Sequence, residues 1–164
     1  MQLRLLRRLA RLGLAALFAI APLAACSDSF VDEAVAATPA QLDVVTVRID
    51  TGKKVHSYRT EVARTPEQQG RGMMYRKAMA RDTAMLFPFP EPRMASFWMA
   101  NTYVPLDIIF ISSEGRVINV GEGVPLSTAT VESTGPAAAV LELYRGEAAR
   151  IGLEPGDRIS WPTR

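Results

Sequence analysis

Short apolar runs, broken by Gly, Pro and Asp, follow one another from residue 44 to the end of the 164-residue chain. The first run, residues 44–49, is rich in β-branched side chains and ends at the turn sequence Asp50-Thr51-Gly52-Lys53. Residues 55–63 form a second run, so the two together predict a β-hairpin. Further strands are predicted at residues 84–87, 96–99, 106–111, 116–121, 138–144 and 157–161.

A helix is predicted to begin after Thr65, which is a good N-cap and is followed by a proline in the first turn. We expect it to run to about Tyr75, although Gly70 and Gly72 each weaken a helix by roughly 1 kcal/mol relative to Ala. A second, shorter helix is predicted within residues 146–152. Short strands with frequent Gly and Pro breaks favour a compact, mainly β domain, an antiparallel sandwich or barrel with one or two short helices.

The first 25 residues follow the pattern of an export signal. Four arginines lie in this segment, and the stretch from residue 12 to residue 23 is almost wholly apolar. That stretch is too short for a membrane-spanning helix, which needs about 20 residues. The sequence therefore predicts a cleaved signal peptide at residues 1–25 rather than a membrane or buried helix.

The signal peptide ends at Ala25, and the sequence Leu23-Ala24-Ala25-Cys26 resembles a bacterial lipobox, where small residues precede the cysteine that receives lipid. Cys26 is the single cysteine of the chain, so an internal disulfide is excluded and lipidation accounts for the thiol. We predict a lipoprotein on the periplasmic face of the outer membrane, which Ser27 favours by resemblance to enterobacterial lipoproteins. The alternative is cleavage near residues 34–36, which leaves a soluble periplasmic or secreted protein.

Residues 26–40 are small, polar and aperiodic and predict a flexible tether, followed by one domain at residues 41–164. The whole chain has 19 Lys and Arg against 17 Asp and Glu; without the four arginines of the signal peptide, 15 remain against 17. Nucleic-acid binding depends on a basic excess, which is missing here. We therefore expect no nucleic-acid partner and membrane contact through the acyl chain.

Several short motifs occur along the chain in an order and spacing that resemble a known family, the domain of unknown function 192 family. The segments that carry the resemblance span most of the predicted domain: residues 65–76 (TPEQQGRGMMYR), 85–89 (MLFPF), 97–102 (FWMANT), 105–111 (PLDIIFI), 140–143 (VLEL) and 156–157 (GD). The resemblance implies a small, mainly β domain of sandwich or barrel type that often follows a signal peptide. It implies no activity and no catalytic residue.

Asp107 is a candidate site residue because it begins an apolar strand and is expected to be partly buried. A buried carboxylate needs a cation or N–H donors nearby, since an unpaired one costs several kcal/mol. Arg76, near the end of the predicted helix, is the expected partner. The pair either fastens the helix to the sheet or lines a pocket for a polar ligand.

Trp98 and Asn101 are two further candidates for a ligand-facing rim. An exposed Trp98 is a platform for stacking a sugar or peptide, whereas a buried one is core, and the usual burial of large aromatic side chains favours core. Phe97 and Met99 are also expected in the core. Asn101 lies where the strand should end, and such residues more often build turns than contact substrates.

These observations predict a non-enzymatic binding or accessory module of the cell envelope, without a cofactor, whose partner is an envelope glycan, peptide or small molecule. One alternative is a hydrolase in which Asp107 and Glu142 form a carboxylate pair acting on glycans. The other is a Cu(I) site made of thioether groups. Its candidate ligands are Met73, Met74, Met85, Met94 and Met99.

Overall fold

Nine strands and two short helices make up residues 41–162, the part of the chain that the computed structural model describes. Their bounds are β1 Asp43–Asp50, β2 Val55–Val62, α1 Pro66–Arg71, β3 Thr83–Arg93, β4 Ser96–Phe97, β5 Leu106–Ile111, β6 Val117–Gly123, β7 Val131–Glu132, β8 Ala137–Tyr144, α2 Glu147–Ile151 and β9 Arg158–Ser160. The predicted signal peptide, Cys26 and the tether lie outside the described residues. Within residues 41–162, no helix is long and apolar enough to cross a membrane.

Seven of these strands form one sheet in the order β6-β5-β8-β3-β2-β1-β9, while β4 pairs with β7 in a separate ribbon. The sheet curls until its two edge strands meet at one end. There the N–H of Val117 donates to the carbonyl of Asp157 at 2.9 Å, and the N–H of Ile159 donates to that of Gly115 at 2.8 Å. The predicted mainly β fold is confirmed, as a curled half-barrel with two short helices.

Two hydrophobic clusters pack on the two faces of the sheet, because its central strands are apolar on both sides. The inner cluster fills the curl and includes Val47, Ile49, Leu86, Ile109, Leu141, Leu143 and Ile159. The outer cluster lies between the sheet and its connecting segments and includes Met73, Met85, Phe87, Met99, Ile108, Phe110 and Val140. Strand β5 contributes to both clusters, and all six of its residues are buried, as expected for a central strand.

The connection from β2 to β3 places residues 63–82 on the outer face of the sheet. These two strands are parallel, unlike the other neighbouring pairs, and parallel strands cannot be joined by a tight hairpin. Helix α1 lies in this crossover and begins with a capping box. The Thr65 hydroxyl accepts from the N–H of Gln68 at 3.2 Å, and the Gln68 side chain accepts from the N–H of Thr65 at 3.1 Å.

Three elements differ from their predicted bounds. Helix α1 ends at Arg71 rather than near Tyr75, because Gly72 adopts a φ of 42° that stops the helix. The predicted strand at residues 96–99 contains only Ser96–Phe97. Strand β3 continues past residue 87 to Arg93. Its pairing with β8 loses the regular register between Pro88 and Arg93, in a stretch that is rich in proline.

A substitution at Gly121 tests how closely β7 packs against β6. A Cβ at Gly121 would lie 2.1 Å from Cγ1 of Val131, so Gly121→Ala must displace that side chain. We expect this substitution to lower the free energy of unfolding, measured in urea, by about 1–3 kcal/mol, the usual cost of overpacking.

Two further variants interpret that measurement. Adding Val131→Ala to Gly121→Ala should recover most of the loss, because it removes the clashing methyl group. Gly70→Ala is the matched control: its Cβ would meet nothing within 4 Å, and we expect unchanged or slightly raised stability. A Gly121→Ala protein as stable as the wild type would contradict the close approach of the two strands.

Candidate functional site

A cavity of about 190 Å³ opens on the outer face of the sheet. Its lining comes from the end of α1 and the crossover after it, from β3, and from β4 with Trp98 and Thr102 of the segment that follows. Phe87 and Glu142 belong to the sheet and form the floor of the cavity. Gly72 allows the crossover to approach this floor, since a Cβ there would lie 3.2 Å from the Phe87 ring.

Glu142 faces the cavity because of its register in β8, the strand between β5 and β3. It lies opposite Met85 of β3 and Ile108 of β5, both members of the outer cluster. Its chain neighbours Leu141 and Leu143 point into the inner cluster, as the alternation of a strand requires. A single acid in an otherwise apolar strand is thereby held on the outer face.

The carboxyl group of Glu142 is buried and has no hydrogen-bond partner for Oε2 among the described residues. The residue is 5% exposed, and it lines the cavity. Burial raises the pKa of Glu142 to about 8, against a smaller lowering by the charge of Arg76. At neutral pH the group is therefore mostly a neutral acid, able both to donate and to accept a hydrogen bond.

Arg76 forms an ion pair with Glu61 of β2, not with Asp107. Glu61 lies opposite Met85, which in turn lies opposite Glu142, so the three residues form one row across the sheet. The predicted pairing of Arg76 with Asp107 is wrong. The sequence could not show that Glu61, on a neighbouring strand, is the nearer acid.

Asp107 fastens α2 to the sheet. Its carboxylate accepts from the N–H of Gly146 at 3.1 Å and from the N–H of Ala148 at 2.8 Å. The prediction of a partly buried carboxylate with donors nearby is confirmed, since the residue is 8% exposed, but the donors are backbone groups at the start of α2. Asp107 therefore has a structural role and does not line the cavity.

Asp107 and Glu142 lie on opposite faces of the sheet. Asp107 is directly opposite Leu143, whose side chain is in the inner cluster, whereas Glu142 is opposite Ile108 of the outer cluster. Residues directly opposite each other share a face. The two carboxyl groups cannot act on one glycosidic bond, so the predicted carboxylate pair is wrong.

Trp98 lies at the lip of the cavity and is 55% exposed, so the interpretation of Trp98 as core is wrong. The predictions that Phe97 and Met99 lie in the core agree better with the structure. Met99 is buried, and the half-buried Phe97 packs edge-on against Phe87 and Phe110, with ring centroids 5.2 Å and 6.3 Å away. Trp98 is the sequence-predicted rim residue that the structure places at the cavity.

Asn101 builds a turn, the role that sequence reasoning favoured. Its φ is 57°, and the N–H of Thr102 donates to the carbonyl of Met99 at 3.0 Å. The Asn101 carbonyl accepts from the N–H of Tyr75 at 2.8 Å, which ties the turn to the crossover. The turn positions Thr102, which does line the cavity, whereas Asn101 is exposed and is not part of the lining.

Two arginines at the mouth of the cavity were not predicted from the sequence. Arg71 ends α1 and Arg93 ends β3, and both line the cavity and are exposed. The guanidinium of Arg93 lies over the Phe89 ring, 4.2 Å from its centroid. No sequence signal marks either arginine, because only the crossover brings α1 to the end of β3. Glu142 was visible as the one charge in the run AAAVLELY.

The five methionines proposed as copper ligands are divided between core and surface. Met73, Met85 and Met99 are buried among apolar side chains of the outer cluster, Met74 is half-buried, and Met94 is 62% exposed. This distribution favours packing over ligation. In residues 41–162, no three His, Cys, Asp or Glu side chains are grouped as a metal site.

A third buried acid, Glu147, has side-chain partners that Glu142 lacks. It accepts from the Tyr58 hydroxyl at 2.9 Å and from Nε of Arg150 at 2.9 Å. The hydrogen bond from Arg150 is the main cause that holds the pKa of Glu147 below its usual value, and burial raises the pKa of Tyr58 to about 12. Glu147 is thus a satisfied structural anchor of α2, and Glu142 is the acid available to a ligand.

One family model matches the chain over most of its described residues. The profile of DUF192, described as "Uncharacterized ACR", matches residues 47–161, which confirms the resemblance. A solved protein of unknown function from Novosphingobium aromaticivorans DSM 12444 is 39% identical with a TM-score of 0.72, over 76% of this chain and 89% of that one. A protein named "putative transcription regulator" from Sinorhizobium meliloti 1021 is 41% identical with a TM-score of 0.72, over 74% and 95%. No curated protein matches the chain.

The raised pKa of Glu142 predicts that stability falls with rising pH. In the unfolded chain the carboxyl ionises at its ordinary pKa of 4.5, whereas in the folded protein it keeps its proton to about 8. Its stabilising contribution is therefore complete below pH 4.5 and is lost as the pH rises toward 8, by at most about 1.4 kcal/mol per pH unit.

We expect Glu142→Gln, which cannot ionise, to lack this decline. Urea unfolding of both proteins from about pH 5 to about pH 8 measures the difference. Exposed Glu154→Gln is the control and should follow the wild type. Parallel stability curves for the wild type and Glu142→Gln would show that the carboxyl is not held protonated by the fold.

Proposed function

The chain belongs to the DUF192 family, and on that premise we propose that it is a non-enzymatic binding module of the cell envelope that takes a small polar molecule into the cavity above Glu142. The observation that carries the proposal is the Glu142 carboxyl, buried on the cavity floor with Oε2 unpartnered among the described residues. Leaving a buried polar group unsatisfied costs about 1–3 kcal/mol. Such a group, facing a cavity and with a displaced pKa, is typical of a functional site.

The rest of the lining supports recognition of a polar molecule with an apolar part. Phe89, Phe97 and Trp98 give flat apolar surfaces, and Trp98 also has the exposure that a stacking platform needs. Arg71 and Arg93 add cationic donors at the mouth. A few polar groups among aromatic walls are the usual composition of a small-molecule site.

The size of the cavity favours a small ligand. Its volume of about 190 Å³ corresponds to about six water molecules, each of which has a share of about 30 Å³ in the liquid. This volume fits one small molecule, or a single residue of a larger glycan or peptide.

Two other functions, a hydrolase and a transcription regulator, have less support. The hydrolase requires Asp107 and Glu142 on one side of a sugar bond, and they lie on opposite faces of the sheet. The transcriptional role named for the Sinorhizobium meliloti protein requires nucleic-acid contact, directly or through partners. With 15 Lys and Arg against 17 Asp and Glu after residue 25, this chain has no basic excess for direct contact.

The envelope location is the second part of the proposal and is supported by the sequence of the N-terminus. The Leu23-Ala24-Ala25-Cys26 sequence, after an arginine-led apolar run, fits lipidation of Cys26 after removal of residues 1–25. Residues 26–40 then form a tether between the acyl anchor and the binding domain. We propose the periplasmic face of the outer membrane as the location.

Removal of Trp98 tests the binding site. We propose a thermal-shift screen of the purified protein against sugars, amino acids and short peptides. Trp98→Ala should remove ligand-dependent stabilisation, because the platform at the lip is lost, while the Tm without ligand changes by only about 2–4 °C, since the side chain is 55% exposed. Tyr103→Ala, at a 48% exposed position outside the cavity lining, is the matched control and should keep ligand stabilisation. A large loss of Tm without ligand, or unchanged stabilisation by ligand, would refute the assignment.

Replacement of Cys26 tests the anchor. Wild-type protein should partition with membranes after cell fractionation, and Cys26→Ser should be lost from that fraction, because it has no thiol to acylate. The ratio of membrane-bound to soluble protein, measured by immunoblotting, gives the result. Ser27→Ala leaves the thiol in place and should remain membrane-bound. If Cys26→Ser still partitions with membranes after export, lipidation at this residue is refuted.

A further inference from the structure

We infer that the cavity binds a small zwitterion, a free α-amino acid with an apolar side chain, whose ammonium group pairs with Glu142 and whose carboxylate pairs with Arg93 and Arg71. This inference rests on the proposed binding function of the same cavity and adds the class of ligand. It follows from the arrangement of charge, in which an acid lies at the floor and two cations lie at the mouth.

The acidic end of the cavity matches an ammonium group. Glu142 Oε2 has no hydrogen-bond partner among the described residues, and an ammonium supplies three N–H donors together with a compensating charge. The strand neighbours of Glu142, Met85 and Ile108, are apolar and offer no donor. Arg76 is the nearby cation that acts on Glu142, but it is paired with Glu61 and does not line this cavity.

The basic end matches a carboxylate. Arg71 and Arg93 both line the cavity, and in residues 41–162 neither belongs to an ion pair. Stacking on Phe89 holds the Arg93 guanidinium in one orientation, which lowers the entropy lost when it binds an anion. A planar guanidinium binds a carboxylate through two parallel N–H bonds.

The charges at the two ends of the cavity together require opposite charges on one ligand. Arg93 lies opposite Ala137 of β8, five residues from Glu142, so the two Cα atoms are about 17 Å apart. Both side chains reach into the same cavity from the ends of this interval. A simple amine meets like charge at the mouth, and a simple acid leaves Glu142 without an ionic partner. A zwitterion satisfies both ends.

The walls and the volume define the rest of the ligand. Met73, Phe97 and Trp98 offer apolar surface between the charged ends, which fits an apolar side chain. The volume of about 190 Å³ is that of an amino acid rather than of an oligopeptide.

Pairing with an ammonium requires Glu142 to lose its proton. The charged or titratable groups of the lining are Arg71, Arg93 and Glu142 itself, and Arg76 acts from the neighbouring crossover segment. The arginines stay charged over the working range of pH, so Glu142 alone changes its state. Binding near neutral pH therefore releases a proton, and the affinity rises with pH up to about 8, the pKa of the free protein's carboxyl.

Isothermal titration calorimetry with the full chain tests the inference. The probes are alanine, valine, leucine, methionine and phenylalanine, as both enantiomers, each compared with the amine that lacks its carboxylate and the acid that lacks its ammonium. We expect at least one amino acid to bind, with each of its two analogues weaker by about tenfold or more. Titration in two buffers of different ionisation enthalpy should show release of about one proton near pH 7, and the affinity should rise by up to about tenfold per pH unit below the pKa of Glu142.

Two variants assign the effects to the two ends. Glu142→Gln should weaken amino-acid binding by about tenfold or more and abolish proton release, which a purely structural role would leave in place. Arg93→Gln should weaken binding of the amino acid and bring its affinity closer to that of the amine, with Arg71 left as the one cation of the lining. Glu154→Gln and Arg48→Gln, at exposed positions outside the lining, are the controls and should bind as the wild type does. Proton release is measured on the wild type, so the test does not depend on the folding of a variant.

The outcomes separate this inference from the proposed function. If the amine, the acid or a neutral sugar binds as tightly as the amino acid, and Trp98→Ala removes that binding, the cavity is a binding site and the zwitterion inference is overturned. Amino-acid binding without proton release also overturns it. If neither these probes nor the molecules of the thermal-shift screen bind, both the inference and the proposed function are refuted.

Discussion

The pairing of β8 with β3 on one side and β5 on the other is the interaction on which the rest of the structure depends. These two ladders fix the register of the most buried strands and so decide which side chains enter the inner cluster and which enter the outer one. A slip of one residue in β8 would turn Glu142 into the inner cluster and Leu141 and Leu143 out of it. An ionisable group at the centre of the curl would cost several kcal/mol, so the acid and its apolar neighbours together specify one register.

The carboxyl groups of Asp107 and Glu142, on adjacent strands, have different hydrogen-bond partners because they lie on opposite faces of the sheet. Asp107 receives two backbone N–H groups from the start of α2, which satisfy its charge in place. Glu142, one register position away on the neighbouring strand, faces apolar side chains and an open cavity. The environment, and not the type of residue, makes one carboxyl a fastening point and the other a group free to engage a ligand.

The sequence predicted what depends on local pattern. Most strand runs, the Thr65 cap of α1, the buried character of β5 and the turn at Asn101 follow from periodicity or from turn and cap chemistry, and the structure confirms them. The sequence could not predict the contacts made by the crossover between β2 and β3. The lengths of the apolar runs do not show that these two strands pair in parallel. For the same reason Arg76 was assigned to the wrong acid, and Arg71 and Arg93 were missed. The interpretation of Trp98 as core was wrong because β4 ends before it, so that alternation no longer determines its face.

The closure of the curl by β9 has a consequence for the order of folding. This strand, the last in the described chain, pairs with β1 through Arg48, Ile49 and Asp50, and its start bonds to the beginning of β6. Until β9 has docked, β1 and the start of β6 have unpaired backbone groups and can recruit a strand from another molecule. The chain is therefore most prone to aggregate while its C-terminal segment is still being synthesised, and it becomes self-contained only when that segment docks.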